Sequence, residues 1–369
     1  MSADGARRLT TLDALRGLSV FAMIEQHVGI WLWRGPDPGM TRLDYPGLVA
    51  FNAGSAIGAP MFYVLSGVGT ALLCARARGS DRELDAGLVR RGLVLYGFGV
   101  LVNLLTPSWF SWGSFFALHM MGVGIMLAPL WRRMSDGALL GLVVLVLAAT
   151  PFVQAFVGTP AELTNPEMRD VSLPGGALRL AFIDSQYSLL PWLSTFVLGF
   201  WAGRAIHRDA LRSLFVVGTL MFAVGALGHA LVWITGASEP SILWRAFRLA
   251  LGWFPPSIAI VTLLTGPTLW ILVAAVRWQR RRPLAPDHAL VVLGRISLTV
   301  FVVHAPLFRE LSRPLGIWSA LAPAPTLAVI AAFTLACLVL GKWWARYDYK
   351  FGAEWLMRRI ADRRPPRPA

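Results

Sequence analysis

Four long stretches without any Asp, Glu, Lys or Arg most constrain what this chain can fold into. They cover residues 45–75, 92–131, 249–276 and 314–341. A helix needs about 20 apolar residues to cross the hydrocarbon core of a bilayer, and each stretch is long enough for at least one crossing. A water-soluble core could not bury all of them. The sequence therefore predicts an all-α, polytopic integral membrane bundle.

The composition agrees with a membrane protein and argues against a nucleic-acid partner. Only 15% of the residues are charged and 56% are hydrophobic, whereas an ordinary globular domain has roughly 25% charged residues. The formal net charge is +14, but the basic residues cluster between apolar stretches rather than along one polar face. Both cysteines, Cys74 and Cys337, fall within apolar stretches, which favours neither a disulfide nor a metal site. We expect no bound metal, no resident cofactor and no nucleic acid.

The apolar pattern predicts ten helices and an orientation. The predicted helices cover residues 10–33, 47–75, 88–106, 113–131, 137–157, 187–206, 211–235, 257–277, 289–309 and 318–345. Placing both termini in the cytoplasm puts 25 Arg and Lys residues on that side and 8 on the outer side, with Arg295 counted on neither, as the positive-inside rule requires. The sequence thus predicts a single domain over residues 1–350, a basic cytoplasmic tail over 351–369, and a multi-pass protein of the cell (inner) membrane.

Two further features complete the predicted topology. The first apolar run lacks a small-residue cleavage site, so we expect it to be a retained span rather than a signal peptide. Residues 236–256 alternate aromatic, basic and apolar side chains, which predicts an amphipathic helix at the outer membrane interface.

The first predicted helix carries four ionisable side chains, Asp13, Arg16, Glu25 and His27. Such residues inside a span are costly and usually functional. Arg16 and His27 are eleven residues apart, so they share one helix face and lie about 16 Å apart along the axis. The alternative is an ion pair between Asp13 and Arg16 at the membrane end, with His27 only hydrogen-bonded inside the bundle.

Other polar residues also occur in or beside the apolar stretches. Arg90 and Arg91 open the third predicted helix, where they serve either as positive-inside anchors or as ligands for phosphate. His119 and His304 lie deep in the fourth and ninth predicted helices. A lone buried histidine is usually a packed residue, but three in one bundle favour a site. The remaining polar candidates, which plain helix packing would also explain, are Asn52, Ser66 and Asn103.

Several segments, in matching order along most of the chain, resemble the transmembrane acyltransferase superfamily. This group includes the acyltransferase-3 proteins and the heparan-α-glucosaminide N-acetyltransferase-like proteins of bacteria. Arg16 and His27 match the spacing of an arginine and a histidine in the first helix of the acyltransferase-3 branch. The similar segments are RLTTLDALRGLSVFAMIEQH (8–27), APMFYVLSGVGTALL (59–73), LVRRGLVLYGFGVLVNLL (88–105), LLPWLSTFVLGFWAGR (189–204) and LGRISLTVFVVHAPLF (293–308).

The resemblance implies transfer of an acyl group, expected to be acetyl, from cytoplasmic acyl-CoA to a hydroxyl or amine of a glycan or lipid-linked acceptor on the outer side. Acetyl-CoA would be a donor substrate rather than a bound cofactor. The catalytic residues would be His27, Asp13 and Arg16. His27 would be the general base, and Asp13 would orient the neighbouring Arg16. The donor would be held by Arg16, Arg90, Arg91 and Ser66. The acceptor would be oriented by His119, His304, Asn52 and Asn103.

The residues alone leave two other classes of protein open. A transporter or flippase for a glycan or lipid-linked substrate needs the same buried polar side chains, although no inverted repeat is visible. A structural membrane subunit needs none of this chemistry. The acceptor, the acyl group, the choice between O- and N-transfer, the choice between direct transfer and an acyl-enzyme, and the presence of a homodimer also stay open.

Overall fold

A computed structural model describes residues 9–41, 44–45, 56–77, 79–249 and 254–361. Within these residues the chain is helical, and its one strand-like feature is an isolated bridge between Trp33 and Leu321. The helices are α1 (Thr10–Leu32), α2 (Gly58–Arg76), α3 (Asp81–Leu105), α4 (Ala117–Met126), α5 (Ala128–Trp131), α6 (Asp136–Phe156), α7 (Gly176–Phe182), α8 (Leu189–His207), α9 (Leu211–Thr235), α10 (Ile242–Phe247), α11 (Ile258–Arg281), α12 (Ala289–Arg295), α13 (Ser297–Ala305), α14 (Pro323–Ala345) and α15 (Ala353–Ala361).

The described part of the chain contains seven helices that are long and apolar enough to cross a membrane, namely α2, α3, α6, α8, α9, α11 and α14. Helix α12 and the segment Ser297–Glu310 together make an eighth if a span bent by 70° is counted as one. Helix α1 has 23 residues but is not in this group, and it contains the three charged side chains Asp13, Arg16 and Glu25. The protein is therefore a multi-pass helical membrane protein. Among the described residues, fewer than the ten predicted helices are long and apolar enough to be counted as membrane spans.

Three predicted helices are broken or much shorter in the structure. The fourth, over residues 113–131, is divided into the ten-residue α4 and the four-residue α5. The chain turns at Leu127, and Pro129 lies in the first turn of α5, where a missing N–H costs nothing. The ninth, over residues 289–309, is broken at Ile296. The predicted interface helix over residues 236–256 is helical only over Ile242–Phe247 among its described residues.

The chain forms two compact units, of which the first contains residues 1–62 and 271–355. In this unit α1 packs against α12 and α14. Gly17 and Gly294 allow the closest approach, because a Cβ on Gly17 would overlap the Leu290 carbonyl oxygen and a Cβ on Gly294 would overlap the Asp13 carbonyl oxygen. Backbone-to-backbone contact of this kind is typical of small residues at membrane helix crossings.

The second unit contains residues 63–270 and 356–369. Helices α3 and α4 cross at Gly92 and Gly122, where an added Cβ would lie 2.5 and 2.9 Å from the facing carbonyl oxygens. Helix α6 packs on α8, whose Trp192 and Phe196 are fully buried. Helix α3 begins earlier than predicted because the Ser80 side chain accepts from the Glu83 backbone N–H and the Glu83 carboxylate accepts in return, which is a capping box.

Candidate active site

Two histidine side chains that are distant in the sequence meet in the first unit. His27 lies on α1 and His304 on α13, and His27 Nδ1 is 2.8 Å from His304 Nε2. The ring centroids are 5.1 Å apart and the ring planes differ by 12°. The 2.8 Å between the two nitrogens makes up most of the 5.1 Å between the ring centroids. The two rings therefore lie edge to edge in nearly one plane. This is the geometry of a direct hydrogen bond between imidazoles.

The neighbours of His304 determine the direction of that hydrogen bond. His304 Nδ1 lies 2.7 Å from the carbonyl oxygen of Phe301 and 3.2 Å from that of Val300. A carbonyl oxygen only accepts, so His304 Nδ1 carries a proton. In a neutral His304 ring, Nε2 is then an acceptor, and His27 Nδ1 donates to it. The lone pair of a neutral His27 ring is consequently on Nε2, which is the nitrogen that can act as a base.

Aromatic side chains surround this pair. The Trp31 ring lies 4.9 Å from the His27 ring and 5.9 Å from the His304 ring, and the Phe301 ring lies 5.6 Å from the His304 ring. Trp31 is 3% exposed and His304 is 1% exposed, whereas His27 keeps part of its surface accessible. Of the two histidines, His27 is therefore the more accessible one.

A carboxylate fixes the helix that carries His304. Glu354 accepts hydrogen bonds from the backbone N–H groups of Leu298 and Thr299, at 2.6 and 3.0 Å, and from the Thr299 hydroxyl at 2.6 Å. These donors belong to the first turn of α13, where a negative charge is favourable. Desolvation nevertheless raises the pKa of Glu354 above its usual range, although the hydrogen bonds from Thr299 lower it. Glu354 thus caps α13 after the break at Ile296.

Asp13 and Arg16 lie at the other end of α1. Arg16 Nη1 is 3.1 Å from Asp13 Oδ1, and Arg295 Nε on α12 is 4.0 Å from Asp13 Oδ2. The Asp13 carboxylate is buried between these two cations. Because Arg16 precedes His27 by eleven residues, the rise of the helix separates the backbone positions of these two residues by about 16 Å along its axis. The pair predicted from the sequence is present, and it does not contact His27.

The residues predicted to hold the donor in the second unit have protein neighbours of their own. Arg90 donates through Nε and Nη2 to the carbonyl oxygen of Ala361, at 3.3 and 3.1 Å, so its guanidinium lies at the C-terminal end of α15. Arg91 beside it is half-buried. Ser66 is also half-buried on α2, and its carbonyl oxygen accepts from the Thr70 hydroxyl at 2.8 Å.

His119 and Asn103, also in the second unit, are packed inside it. The His119 ring lies against Gly99, where an added Cβ would be 2.8 Å away, and its Nδ1 accepts from the Phe116 backbone N–H at 3.3 Å. Asn103 donates to the Ser114 carbonyl oxygen at 2.8 Å. These contacts are those of packed polar residues. Their predicted role with the acceptor, like that of Asn52, which lies outside the described residues, stays a prediction.

Two of the residues around the histidine pair were not expected from the sequence. Trp31 carried a local signal, since it follows His27 by four residues and therefore shares its helix face. Glu354 carried none, because its partners Leu298 and Thr299 are more than fifty residues away. Among the residues that the structure describes, no group of three His, Cys, Asp or Glu side chains could hold a metal ion.

Comparison with known protein families agrees with the resemblance seen in the sequence. A family model described as the catalytic region of heparan-alpha-glucosaminide N-acetyltransferase matches residues 8–231. The match includes His27, Arg90 and His119, and it ends before α13 and His304. No curated protein matches the sequence. Because the family model covers more than half of the chain, the protein belongs to the heparan-alpha-glucosaminide N-acetyltransferase catalytic family.

Proposed function

We propose that this protein is a membrane acyltransferase that moves an acetyl group from cytoplasmic acetyl-CoA to a hydroxyl or amine of a glycan or lipid-linked acceptor reached from the outer side. His27 is the general base. The observation that carries the proposal is the coplanar hydrogen bond between His27 and His304 in a chain of this family. The bond directs the basic Nε2 of His27 away from its partner, and His27 is the accessible member of the pair.

The transfer is a direct displacement at the thioester carbonyl. The acceptor oxygen or nitrogen attacks the carbonyl carbon while its proton passes to His27 Nε2. The bond from the acceptor to the acyl carbon forms, the bond from that carbon to sulfur breaks, and the thiolate of CoA leaves. The proton then passes from His27 to the thiolate, which leaves CoA as the thiol and His27 neutral. No acyl-enzyme is needed.

His304 is a positioning residue in this scheme and not an acceptor-binding one. Its Nε2 accepts from His27 Nδ1 and so holds the base in one tautomer and one orientation. When His27 takes a proton, the positive charge on its ring strengthens that hydrogen bond. An aspartate does the same for the histidine of a serine protease. The neutral imidazole and the carbonyl of Phe301 behind it stabilise the cation less than a carboxylate would.

For the donor we keep the residues that the resemblance implies, namely Arg16, Arg90, Arg91 and Ser66. The forked guanidinium suits the phosphates of CoA. Two of the five N–H groups of Arg90 donate to Ala361, so at most three can serve a phosphate. The rise of α1 between Arg16 and His27 is about 16 Å, and the extended pantetheine arm has a length of that order.

The test is acetyl transfer from labelled acetyl-CoA into the envelope fraction by membranes that contain the protein. His27→Ala should reduce the rate by about 10²- to 10⁴-fold, the usual contribution of a general base. His229→Gln is the control, because His229 lies on a different helix, where its Nδ1 donates to the Phe247 carbonyl oxygen at 3.0 Å. Unchanged transfer by folded His27→Ala would overturn the assignment.

The family match gives no support to the transporter alternative. A transporter would carry an acetylated or unmodified substrate without consuming acetyl-CoA. Stabilisation of the purified protein against thermal unfolding by acetyl-CoA, and not by acetate, would favour the enzyme.

A further inference from the structure

Two arginines of the second unit, Arg245 in α10 and Arg248 directly after it, are buried; we call them the arginine pair. Arg245 is 7% exposed and Arg248 is 6% exposed. Arg245 donates through Nη1 to the Thr159 carbonyl oxygen at 2.8 Å, and its Nη2 lies 3.5 Å from Glu239 Oε1. The Nε of Arg245 is buried and donates to no described atom. The first arginine of the pair is therefore only partly satisfied by the protein.

Arg248 has even fewer polar neighbours. Its guanidinium carbon lies 4.4 Å from the Trp244 ring centroid, and no oxygen atom of the described residues accepts from its N–H groups. Burial and the charge of Arg245 lower the pKa of Arg248, whereas Glu239 and Glu162 raise it. A guanidinium offers five N–H donors, and burying them without acceptors is unfavourable. An occupant that supplies acceptors would offset this cost.

The backbone around Arg248 keeps it in this position. Its N–H donates to the Trp244 carbonyl oxygen at 2.8 Å, and its carbonyl oxygen accepts from the Ser257 hydroxyl at 2.7 Å. The same Ser257 oxygen accepts from the Ile260 N–H at 3.2 Å, in the first turn of α11. Arg248 is thus anchored between α10 and α11, and its burial follows from the fold rather than from the chance position of a surface side chain.

The depth of the arginine pair is set by the packing of α10 on α9. The Phe247 ring covers Gly228, where a Cβ would overlap it, and the Phe247 carbonyl oxygen accepts from His229 Nδ1 at 3.0 Å. His229 precedes Thr235, the last residue of α9, by six residues, which is about 9 Å along the helix axis. Arg248, which follows Phe247, therefore lies beside the last turns of a span and not beyond its end.

The surface of α9 at this level is that of a helix in contact with lipid. Trp233 and Ile234 are 81% and 74% exposed, and Leu231 is also exposed. Tryptophan is enriched where the hydrocarbon core meets the head groups. The predicted topology places this end of α9 on the outer side. An anion that reaches the arginine pair at this depth would therefore come from the head group of a lipid.

The charge of the arginine pair fits a phosphodiester. Among the described residues, Glu239 is the one carboxylate within 4.0 Å of the two guanidinium groups, so one positive charge remains without a counter-charge. A phosphodiester carries one negative charge, and its oxygens can accept from N–H groups at the edge of a guanidinium. Arg248 would supply the open donors and Arg245 the second positive charge.

We propose that the arginine pair binds the phosphate of an anionic phospholipid whose head group lies beside the end of α9. The bound phosphate supplies the hydrogen-bond acceptors that Arg248 lacks in the protein. The lipid is neither the donor nor the acceptor of the proposed acetyl transfer, because both arginines belong to the second unit and His27 to the first. The inference therefore stands independently of the proposed function.

The first test counts lipids bound to the full chain by native mass spectrometry, after purification in a neutral detergent and addition of phosphatidylglycerol or phosphatidylcholine. Phosphatidylglycerol should bind about tenfold or more tightly, as expected for one charge-assisted hydrogen bond. Arg248→Gln should lose this preference. The matched control is Arg169→Gln, which removes a positive charge from the same unit and the same predicted side of the membrane, at a half-buried position outside the arginine pair, and should keep the preference.

The second test separates a lipid site from a purely structural role of Arg248. In detergent without lipid, Arg248→Met should be at least as stable as the wild type, because it removes a buried charge that lacks an ion pair. Phosphatidylglycerol should then raise the Tm of the wild type by about 2 °C or more and leave that of Arg248→Met unchanged. A structural role predicts a lower Tm for Arg248→Met in detergent and the same response to lipid in both proteins, and this result would overturn the proposal.

Inorganic phosphate at constant ionic strength distinguishes a lipid from a soluble ligand. A rise in the Tm of the wild type with inorganic phosphate that equals the rise with phosphatidylglycerol, and that Arg248→Met lacks, would overturn the assignment to a lipid. Preference for phosphatidylglycerol by folded Arg248→Gln would contradict the role of the arginine pair. If neither variant folds, the wild type alone decides, since equal binding of phosphatidylglycerol and phosphatidylcholine contradicts the proposal.

Discussion

At the scale of single residues, the proposed chemistry depends on which nitrogen of His27 carries the proton. The sequence identified His27 and His304 as ionisable residues inside spans and expected His304 to orient the acceptor. The structure brings His304 to His27 itself, across 277 residues of sequence. No local pattern encodes a contact of that range. The sequence therefore identified both histidines as candidates, and only the fold shows that their rings form a hydrogen bond.

His304→Leu should lower kcat for acetyl transfer by about tenfold or more, because His27 Nδ1 then loses its acceptor and the ring can adopt the wrong tautomer. His304→Gln keeps an oxygen acceptor and should be impaired less. KM for acetyl-CoA should not change in either variant. A raised acceptor KM with unchanged kcat would instead return His304 to the acceptor-binding role expected from the sequence.

The variant Asp13→Asn should distinguish the role of the Asp13–Arg16 end of α1 from the role of its His27 end. The carboxylate lies between Arg16 and Arg295, so its loss leaves two cations facing a neutral amide, and the free energy of unfolding should fall by about 1–3 kcal/mol. Because Arg16 is then less well oriented, KM for acetyl-CoA should rise, while the dependence of kcat on pH should stay that of the wild type. A changed pH profile would place Asp13 in the proton transfer itself.

At the scale of the helices, the sequence predicted most of the long elements to within a few residues. Helix α1, expected over residues 10–33, covers Thr10–Leu32, and α9, expected over residues 211–235, covers Leu211–Thr235. Hydrophobic length suffices for such straight spans. The breaks at Leu127 and Ile296 were missed. The start of α13 after Ile296 depends on a carboxylate from a distant segment, Glu354, which no window of sequence contains.

The capping of α13 by Glu354 predicts that the stability of the protein depends on pH. The pKa of Glu354 in the folded state lies above its ordinary value of 4.5, so the folded state holds this proton more tightly than the unfolded state does. The contribution of Glu354 to stability is therefore fully present below about pH 4.5 and is lost as the pH rises through the folded-state pKa.

Glu354→Gln keeps an acceptor for the α13 N–H groups and removes this titration, so its Tm relative to the wild type should increase as the pH rises through that window. Thermal unfolding in detergent at several pH values measures the difference. Glu162→Gln, at an exposed position, is the control. A difference in Tm between Glu354→Gln and the wild type that does not change with pH would contradict the raised pKa of Glu354.

The crossing of α1 and α12 gives a prediction for packing. Gly294→Ala should destabilise the protein by about 1–3 kcal/mol, because the new Cβ would overlap the Asp13 carbonyl oxygen and force the backbones apart. Gly97→Ala is the control on α3: nothing lies within 4 Å of its added Cβ, and alanine favours a helix over glycine. Thermal unfolding should show a lower Tm for the first variant only, and equal Tm values would show that the crossing can relax.

At the scale of the whole molecule, the number of crossings decides where the termini lie. Seven helices and the bent pair qualify by length and composition, and α1 makes a ninth crossing if its polar residues face the bundle. Helices α4 and α5 cover residues 117–131, a rise of about 22 Å at most, which is shorter than the hydrocarbon core. With nine crossings the two ends of the protein would be on opposite sides of the membrane, and with ten they would be on the same side.

The distribution of Arg and Lys favours ten, since 25 of these residues then lie on the cytoplasmic side and 8 on the outer side. We therefore expect α4 and α5 to complete a crossing where neighbouring protein shields the turn at Leu127, as broken membrane helices require. Green fluorescent protein fused to the C-terminus should fluoresce, and alkaline phosphatase fused there should be inactive. The same pair of reporters at the N-terminus should give the same result. An active phosphatase at one terminus only would mean that residues 117–131 do not cross, and Arg90 and Arg204 would then lie on opposite sides of the membrane.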